Sequence, residues 1–250
     1  MENAGEAKTV MIMFNNVYIR FNDLIVMENF NENFEENKVN CILGPSGCGK
    51  TTMLNLLSGI LREDSGHITK FKKISYVFQE ESLIPQKTAR QNLELVLKSV
   101  YKDNKKLKTI IDKFLSISDL TTSADLYPHE MSGGMRQRLA LIRAFAYPSD
   151  ILLMDEPFKA LDIVLKYSLI KSFLKLYNED MRTVLFVTHD IDDALMTGDY
   201  IYVYSDKPLT LLNKFTITDN KNERKLYAES LIKIKNEIYK ETEKWQIKKL

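Results

Sequence analysis

The run Gly44-Pro45-Ser46-Gly47-Cys48-Gly49-Lys50-Thr51 fits the pattern G-x-x-x-x-G-K-[ST], whose chemistry is phosphate binding. Glycines let the backbone fold around an anion, so that amide N–H groups and the N-terminus of a following helix face its oxygens. In such a loop Lys50 neutralises the outer phosphates and the Thr51 hydroxyl ligates Mg²⁺, with Thr52 in the same nucleotide-binding set. A second run, Ile151-Leu152-Leu153-Met154-Asp155-Glu156, ends four apolar residues in two carboxylates. That is the form of a buried strand whose carboxyl end opens into the site of an α/β fold. Adjacent acids there divide the labour: Asp155 suits the Mg²⁺ shell, and Glu156 suits a general base that polarises water. A third run places Ser132, Gly133 and Gly134 at the entry of a helix, as an N-cap that is also an anion site.

These groups need elements to hold them. Lys38 to Leu43 is a compact apolar strand running into the phosphate loop, and from Thr51 the apolar residues recur at helical spacing. Upstream, Met11 to Asn31 alternates β-prone runs with Asn15-Asn16 and Asn22-Asp23, which predicts an antiparallel cap of two or three strands turning at those pairs. Residues 87 to 127 carry helical patterns over Asn92 to Val100 and Leu107 to Ile117, the mark of an inserted helical lobe. Then follow a helix from Met135 to Tyr147, a strand Ile151 to Met154, a helix Ile163 to Glu179 and a strand Thr183 to Val187. Strands apolar along their whole length and alternating with helices predict a parallel sheet covered on both faces. From Asn220 to Leu250, the residues Leu226, Leu231, Ile234, Ile238 and Trp245 among many charges predict an amphipathic helical tail.

The chain has 250 residues, enough for a sizeable core, and 35 Lys+Arg against 34 Asp+Glu leave a net charge of +1. That balance lacks the basic excess that drives phosphate-backbone binding, so a nucleic-acid partner is not expected. Two cysteines, Cys41 and Cys48, make no disulfide scaffold, and no apolar run approaches the roughly 18 residues a spanning helix needs. The opening MENAGEAKT, with only Val10 to Phe14 apolar behind it, does not read as a signal peptide. A cytoplasmic chain that meets a membrane through a partner is the expectation.

Taken with Tyr76-Val77-Phe78-Gln79, Asp155-Glu156-Pro157, Ala160-Leu161-Asp162 and Thr188-His189-Asp190, the order of these motifs resembles the ATP-binding subunit of ABC transporters, over roughly residues 12 to 215. In wording, the loop, Ser-Gly-Gly-Met-Arg-Gln-Arg and Asp-Glu-Pro-Phe-Lys-Ala-Leu-Asp look most like importer subunits of the nitrate, sulfonate and taurine group. Met131, Met135 and Lys159 depart from the commonest spelling. The resemblance implies an α/β fold: a P-loop NTPase core of ABC type with an antiparallel β cap and a helical subdomain over about residues 87–147. It implies an ATPase domain over 1–219 and a tail over 220–250. It also implies ATP and Mg²⁺ as ligands, and as partners a second ATP-binding subunit, an integral permease on the inner face of the membrane and, indirectly, a solute-binding protein.

Residue by residue, the resemblance gives Phe21 the stacking on adenine, with Tyr18 as the competing aromatic, and gives Gln79 the sensing of Mg²⁺ and contact with the membrane partner. His189 holds the γ-phosphate and acts with Glu156 in catalysis, Ser132, Gly133 and Gly134 bind the ATP of the opposite subunit, and Asp162 lies at the dimer interface. The segment from Gln79 to about Asn92, with Leu83, Ile84 and Pro85, is expected to dock on the permease. Two rivals stand beside this reading: an ABC-type ATPase of translation or DNA repair, and a P-loop kinase or GTPase. The first would carry two cassettes or long insertions, and the second a guanine-selecting Asn-Lys-x-Asp, which Asn104-Lys105-Lys106 only approaches.

Overall fold

The computed structural model describes residues 11–159 and 161–247, with side chains as far as residue 243; Val10, Ala160 and the Trp245 ring lie outside the described residues. Strands β1 (Ile12–Phe21) and β2 (Leu24–Phe34) form a hairpin whose turn is Asn22-Asp23, with Phe21 opposite Leu24 and Asn22 at φ 54°. Asparagine tolerates that left-handed backbone, which is why this pair turns the chain. The Asn15-Asn16 pair does not turn it. It sits inside β1 at a register shift between Phe14 and Val17, where the Asn31 carboxamide accepts from the Asn16 amide at 2.9 Å and donates to its side chain at 3.0 Å. Amide pairing across the bulge keeps the strand continuous.

The second sheet has six strands: β3 (Val39–Leu43), β5 (Ile74–Val77), β6 (Ile151–Asp155), β7 (Thr183–Thr188), β8 (Tyr200–Tyr204) and β9 (Leu211–Thr216). Their order is β5-β6-β7-β3-β8-β9, all pairs parallel except β8 with β9. The remaining strand, β4 (Ser65–Ile68), pairs on the free side of β1 in the three-stranded cap. The period of two in a strand divides the big sheet's apolar residues between two cores. Val39, Cys41, Leu43, Leu152, Met154, Val184 and Phe186 face one; Ile42, Ile151, Leu153, Leu185 and Val187 face the other. Burial on both faces explains strands that read as unbroken apolar runs.

Helix α1 (Lys50–Ser58) and the β cap cover one face. The other is covered by α2 (Ala89–Leu97), α3 (Asn104–Ile117), α4 (Gly133–Ala146), α5 (Ile163–Glu179), α6 (Ile191–Thr197) and α7 (Glu229–Ile247). Capping sets several starts: Thr88 and Gln91 make a capping box for α2, Asp103 caps α3 and Ser132 caps α4. Leu93, Leu107, Ile111 and Leu139, on α2, α3 and α4, join the same apolar cluster as the sheet face. The tail becomes helical later than its apolar pattern predicts. Residues 220–228 run through turns, and the helix that follows buries Leu231 and Ile238 in the core.

Candidate active site

The phosphate loop leaves β3 and enters α1 as a backbone construction. Gly47, at φ 80°, faces open space, whereas Gly49, at φ 121°, would place a Cβ 2.7 Å from Val26 Cγ1 of the cap. Only glycine combines that conformation with that contact. Gly44 lies over the buried Cys48, whose sulfur would meet a Cβ there at 2.9 Å. Burial also pushes the Cys48 thiol up, as suits a packing residue. Lys50 is 5% exposed and donates to the carbonyls of Gly44 and Pro45, both at 2.8 Å, so its charge is held inside the loop by peptide dipoles.

Outside the loop is an open cavity of about 290 Å³. Phe21, Ser46, Gly47, Gly49, Lys50, Thr51, Thr52, Gln79, Asp155 and Glu156 all line it, so sheet, cap and loop bring together residues spread over most of the sequence. Phe21 stands 43% exposed on its wall and Tyr18 does not line it. Burial raises Asp155 above the usual carboxylate range, opposed by the hydrogen bond from Thr51. A hydroxyl against a desolvated carboxylate suits a hard cation bound through oxygen, so the donor set fits Mg²⁺.

Glu156 follows the end of β6 at φ 46°, with its amide donating to the Val187 carbonyl at 2.9 Å. Its Oε1 lies 3.1 Å from His189 Nδ1 and its Oε2 2.9 Å from Lys159 Nζ. Burial alone would raise this carboxyl; Lys159 and His189 outweigh it and hold it below its ordinary value. His189 is itself fixed by neighbours. The Asp190 amide donates to Thr188 Oγ1 at 3.0 Å, and the Asp190 carboxylate caps α6 through the amides of Asp192 and Asp193. Lys166 of α5 reaches Asp190 at 2.5 Å and Asp193 at 3.1 Å. From the tail, Lys235 pairs with Asp192, and buried Arg224 donates to the carbonyls of Leu195 and Gly198 at the other end of α6.

Ser132, Gly133, Gly134 and Asp162 do not line the cavity. Ser132 caps α4 by accepting from Met135 N at 3.4 Å, and Asp162 caps α5 by accepting from Leu165 N at 3.0 Å. A Cβ on Gly134 would stand 2.3 Å from Leu165 Cδ1, so this glycine also lets the two helices approach. The Gln79 loop is tied to the same helix: Glu81 pairs with Arg136 at 3.3 Å, and Arg136 donates to the Met131 carbonyl at 2.9 Å. Leu83 and Ile84, which the sequence suggests are exposed, are half-buried, and Leu83 packs on the core while Pro85 is exposed. Sequence reasoning missed Lys207 on the cavity wall and the ion pair of Lys159. The unusual Lys at 159 was a signal; nothing around Lys207 was.

A phosphate-binding loop between a parallel strand and a helix, with a Thr-Asp pair and a strand-end glutamate beside it, defines a P-loop nucleotide hydrolase. The family model described as ABC transporter matches residues 27–159. An ATP-binding protein of Brucella abortus is 36% identical over 205 residues, 79% of each chain. The nitrate import ATP-binding protein NrtD of Synechococcus elongatus is 34% identical over 200 residues, 76% of this chain and 73% of its own. The formylaminopyrimidine import ATP-binding protein ThiZ of Halalkalibacterium halodurans is 37% identical over 186 residues, 74% of this chain and 75% of its own. Among solved structures, the ATP-binding cassette MJ0796, a dimer in a post-hydrolysis state with ADP and Pi, superposes at TM-score 0.70 and 29% identity over 84% of this chain and all of that one. The chain belongs to the ABC transporter family, as an ATP-binding and ATP-hydrolysing subunit.

Proposed function

We propose that the chain is the ATPase of an importer, that it works as a pair of identical subunits beneath a membrane permease, and that the solute reaches the permease from a companion binding protein. The importer reading is supported by relatives named for nitrate, Fe(3+) and formylaminopyrimidine import, and the pairing by the dimeric cassette it resembles. A small inorganic or organic anion of the nitrate, sulfonate and taurine class, or a thiamine-precursor pyrimidine, is the cargo. No helix among the described residues is long and apolar enough to cross a membrane, so contact with the bilayer runs through the permease. The ATPase domain spans 1–219, with a helical subdomain over about 87–147, and the tail spans 220–250.

One observation carries the mechanism: Lys50, Thr51, Gln79, Asp155 and Glu156 converge on one cavity while Ser132 lies away from it. A chain with one phosphate loop and one such serine uses both on the same ATP only through a partner, which favours sites shared between two subunits. Phe21 supplies a face for adenine and Lys50 the charge for the outer phosphates. Mg²⁺, held by Thr51 and Asp155 with Gln79, would neutralise charge on the transferred phosphoryl group. Glu156 accepts the proton of the water whose oxygen bonds to the γ-phosphorus as the bond to ADP breaks, and His189 orients the Glu156 carboxylate. Ser132, Gly133 and Gly134, with Asp162, come from the partner. The loop from Gln79 to Asn92, through Glu81 and Arg136, links the permease to that serine's helix.

Glu156→Gln tests the assignment of the base. It removes proton acceptance with little change of shape, so ATP affinity should stay within about threefold while kcat falls about a hundredfold or more. Turnover within threefold of the unsubstituted chain would remove Glu156 from the role.

A further inference from the structure

Lys159 lies three residues after Glu156, and its side chain does something specific there. Glu156 leaves β6 in a left-handed backbone conformation, φ 46°, and the turn that follows is closed by the Lys159 amide donating to the Glu156 carbonyl at 3.2 Å. That turn brings the Lys159 ammonium back over the carboxylate, 2.9 Å from Oε2, while His189 Nδ1 lies 3.1 Å from Oε1. Each oxygen of Glu156 thereby has a side-chain nitrogen at ion-pair distance, and Oε2 is itself buried without a hydrogen-bond partner. A carboxylate with an ammonium against its buried oxygen is held from turning that oxygen to a water it must deprotonate.

The Glu156 side chain is 15% exposed and that of Lys159 is 42% exposed. The pair is therefore fixed at the carboxylate end and free to swing at the ammonium end. Lys159 also lines the cavity that holds Lys50, so the phosphates of ATP are within the same space and carry more charge than one carboxylate. Partly exposed ion pairs are weak enough to be exchanged for such a competitor.

We propose that Lys159 is a latch on Glu156: a positioning residue that keeps the carboxylate engaged in the resting subunit and releases it when nucleotide phosphates draw the ammonium away. This rests on the reading of Glu156 as general base. Release is incomplete in the ATP-bound subunit, where carboxylate and phosphates compete for the ammonium, so the latch lowers kcat without adding to ATP affinity, because the charge gained by the phosphates is lost by the carboxylate.

Steady-state ATP hydrolysis by the full chain separates the possibilities. Lys159→Ala should raise kcat three- to tenfold with KM for ATP within twofold, Lys159→Met should do the same while keeping the stem, and Lys159→Arg should stay near the starting rate. The gain should vanish in Glu156→Gln, so that Glu156→Gln with Lys159→Ala is no faster than Glu156→Gln alone. A rise in KM with kcat unchanged would make Lys159 a phosphate ligand and overturn the latch. So would an unchanged or lowered kcat in variants whose melting temperature shows them folded. If Glu156→Gln itself keeps turnover, the base assignment fails and the latch falls with it. If Glu156→Gln is inactive and Lys159→Ala is unchanged, the latch alone fails.

Discussion

The phosphate loop and the Glu156 corner face each other across one cavity, yet they are built by opposite means. The loop is backbone: glycines at φ 80° and 121°, carbonyls of Gly44 and Pro45 gripping Lys50, and the amide end of α1. The corner is side chain: Glu156 held by Lys159 and His189, and His189 by a helix pinned from α5 and from the tail. A backbone site is rigid and local, so breaking it means changing a glycine inside it. A side-chain site is held at a distance, and is broken by substitutions far along the chain.

The largest effect is expected in the loop. Gly49→Ala asks a Cβ to exist at φ 121° and 2.7 Å from Val26 Cγ1, so the loop must leave its conformation. Nucleotide titration should show at least about a hundredfold loss of ATP affinity, close to 2.7 kcal/mol. Gly47→Ala has only its φ of 80° against it, with nothing within 4 Å, and should lose less. Equal losses at both positions would mean that contact with the cap adds nothing to the loop's rigidity.

The corner should yield to a residue far outside it. Arg224 is 7% exposed and donates to the carbonyls of Leu195, Gly198 and Asp219, so it fixes the end of α6 opposite His189. Arg224→Met leaves those acceptors buried without a donor, at a cost of about 2–4 kcal/mol. The melting temperature should drop by roughly 5–15 °C. If α6 positions His189, kcat should fall several-fold while ATP affinity, which resides in the loop, hardly moves. A loss of affinity equal to the loss of kcat would show that the two regions are not separable in this way.

The same contrast explains what the sequence made legible. Eight consecutive residues carry the loop, and four apolar residues followed by two acids carry the end of β6; both are local patterns with a local physical cause. Cover on both faces of the sheet was likewise legible in strands apolar along their whole length, whereas the division of Cys41 from Ile42, or Leu152 from Leu153, between two cores is seen only in the structure. Strands β4, β5, β8 and β9 were harder, because short pieces such as Ser65–Ile68 and Ile74–Val77 have no periodicity of their own and exist by pairing with β1 and β6. Asn15-Asn16 misled for a related reason: a turn composition was absorbed by a bulge that a distant Asn31 completes. The ring of Lys166, Lys235 and Arg224 around α6 was illegible, since its members stand 24 to 43 residues from the groups they hold and two of them lie on a tail read only as amphipathic.

The smallest effect tests whether the corner's support has a cost of its own. Burial pushes the Asp193 carboxyl up from 3.8 to about 6, with Asp190 adding to the rise and Lys166 and His189 opposing it. A folded value above the unfolded one means that the native state binds the proton more tightly between those two pH values. Stability from this group is therefore complete below about pH 4 and is lost as pH rises through about 6. Asp193→Asn keeps the shape and removes the charge, while Lys166 retains Asp190 at 2.5 Å. After allowing for the weakened contact with Lys166, a gain of about 1–2 kcal/mol at pH 7.5 is expected. Melting curves taken between pH 4 and pH 8 should differ between the two chains chiefly above pH 6, with the variant higher. A variant that melts lower at pH 7.5 would mean that the Lys166 pair contributes more than burial costs, and that Asp193 is part of what fixes α6 rather than a strain within it.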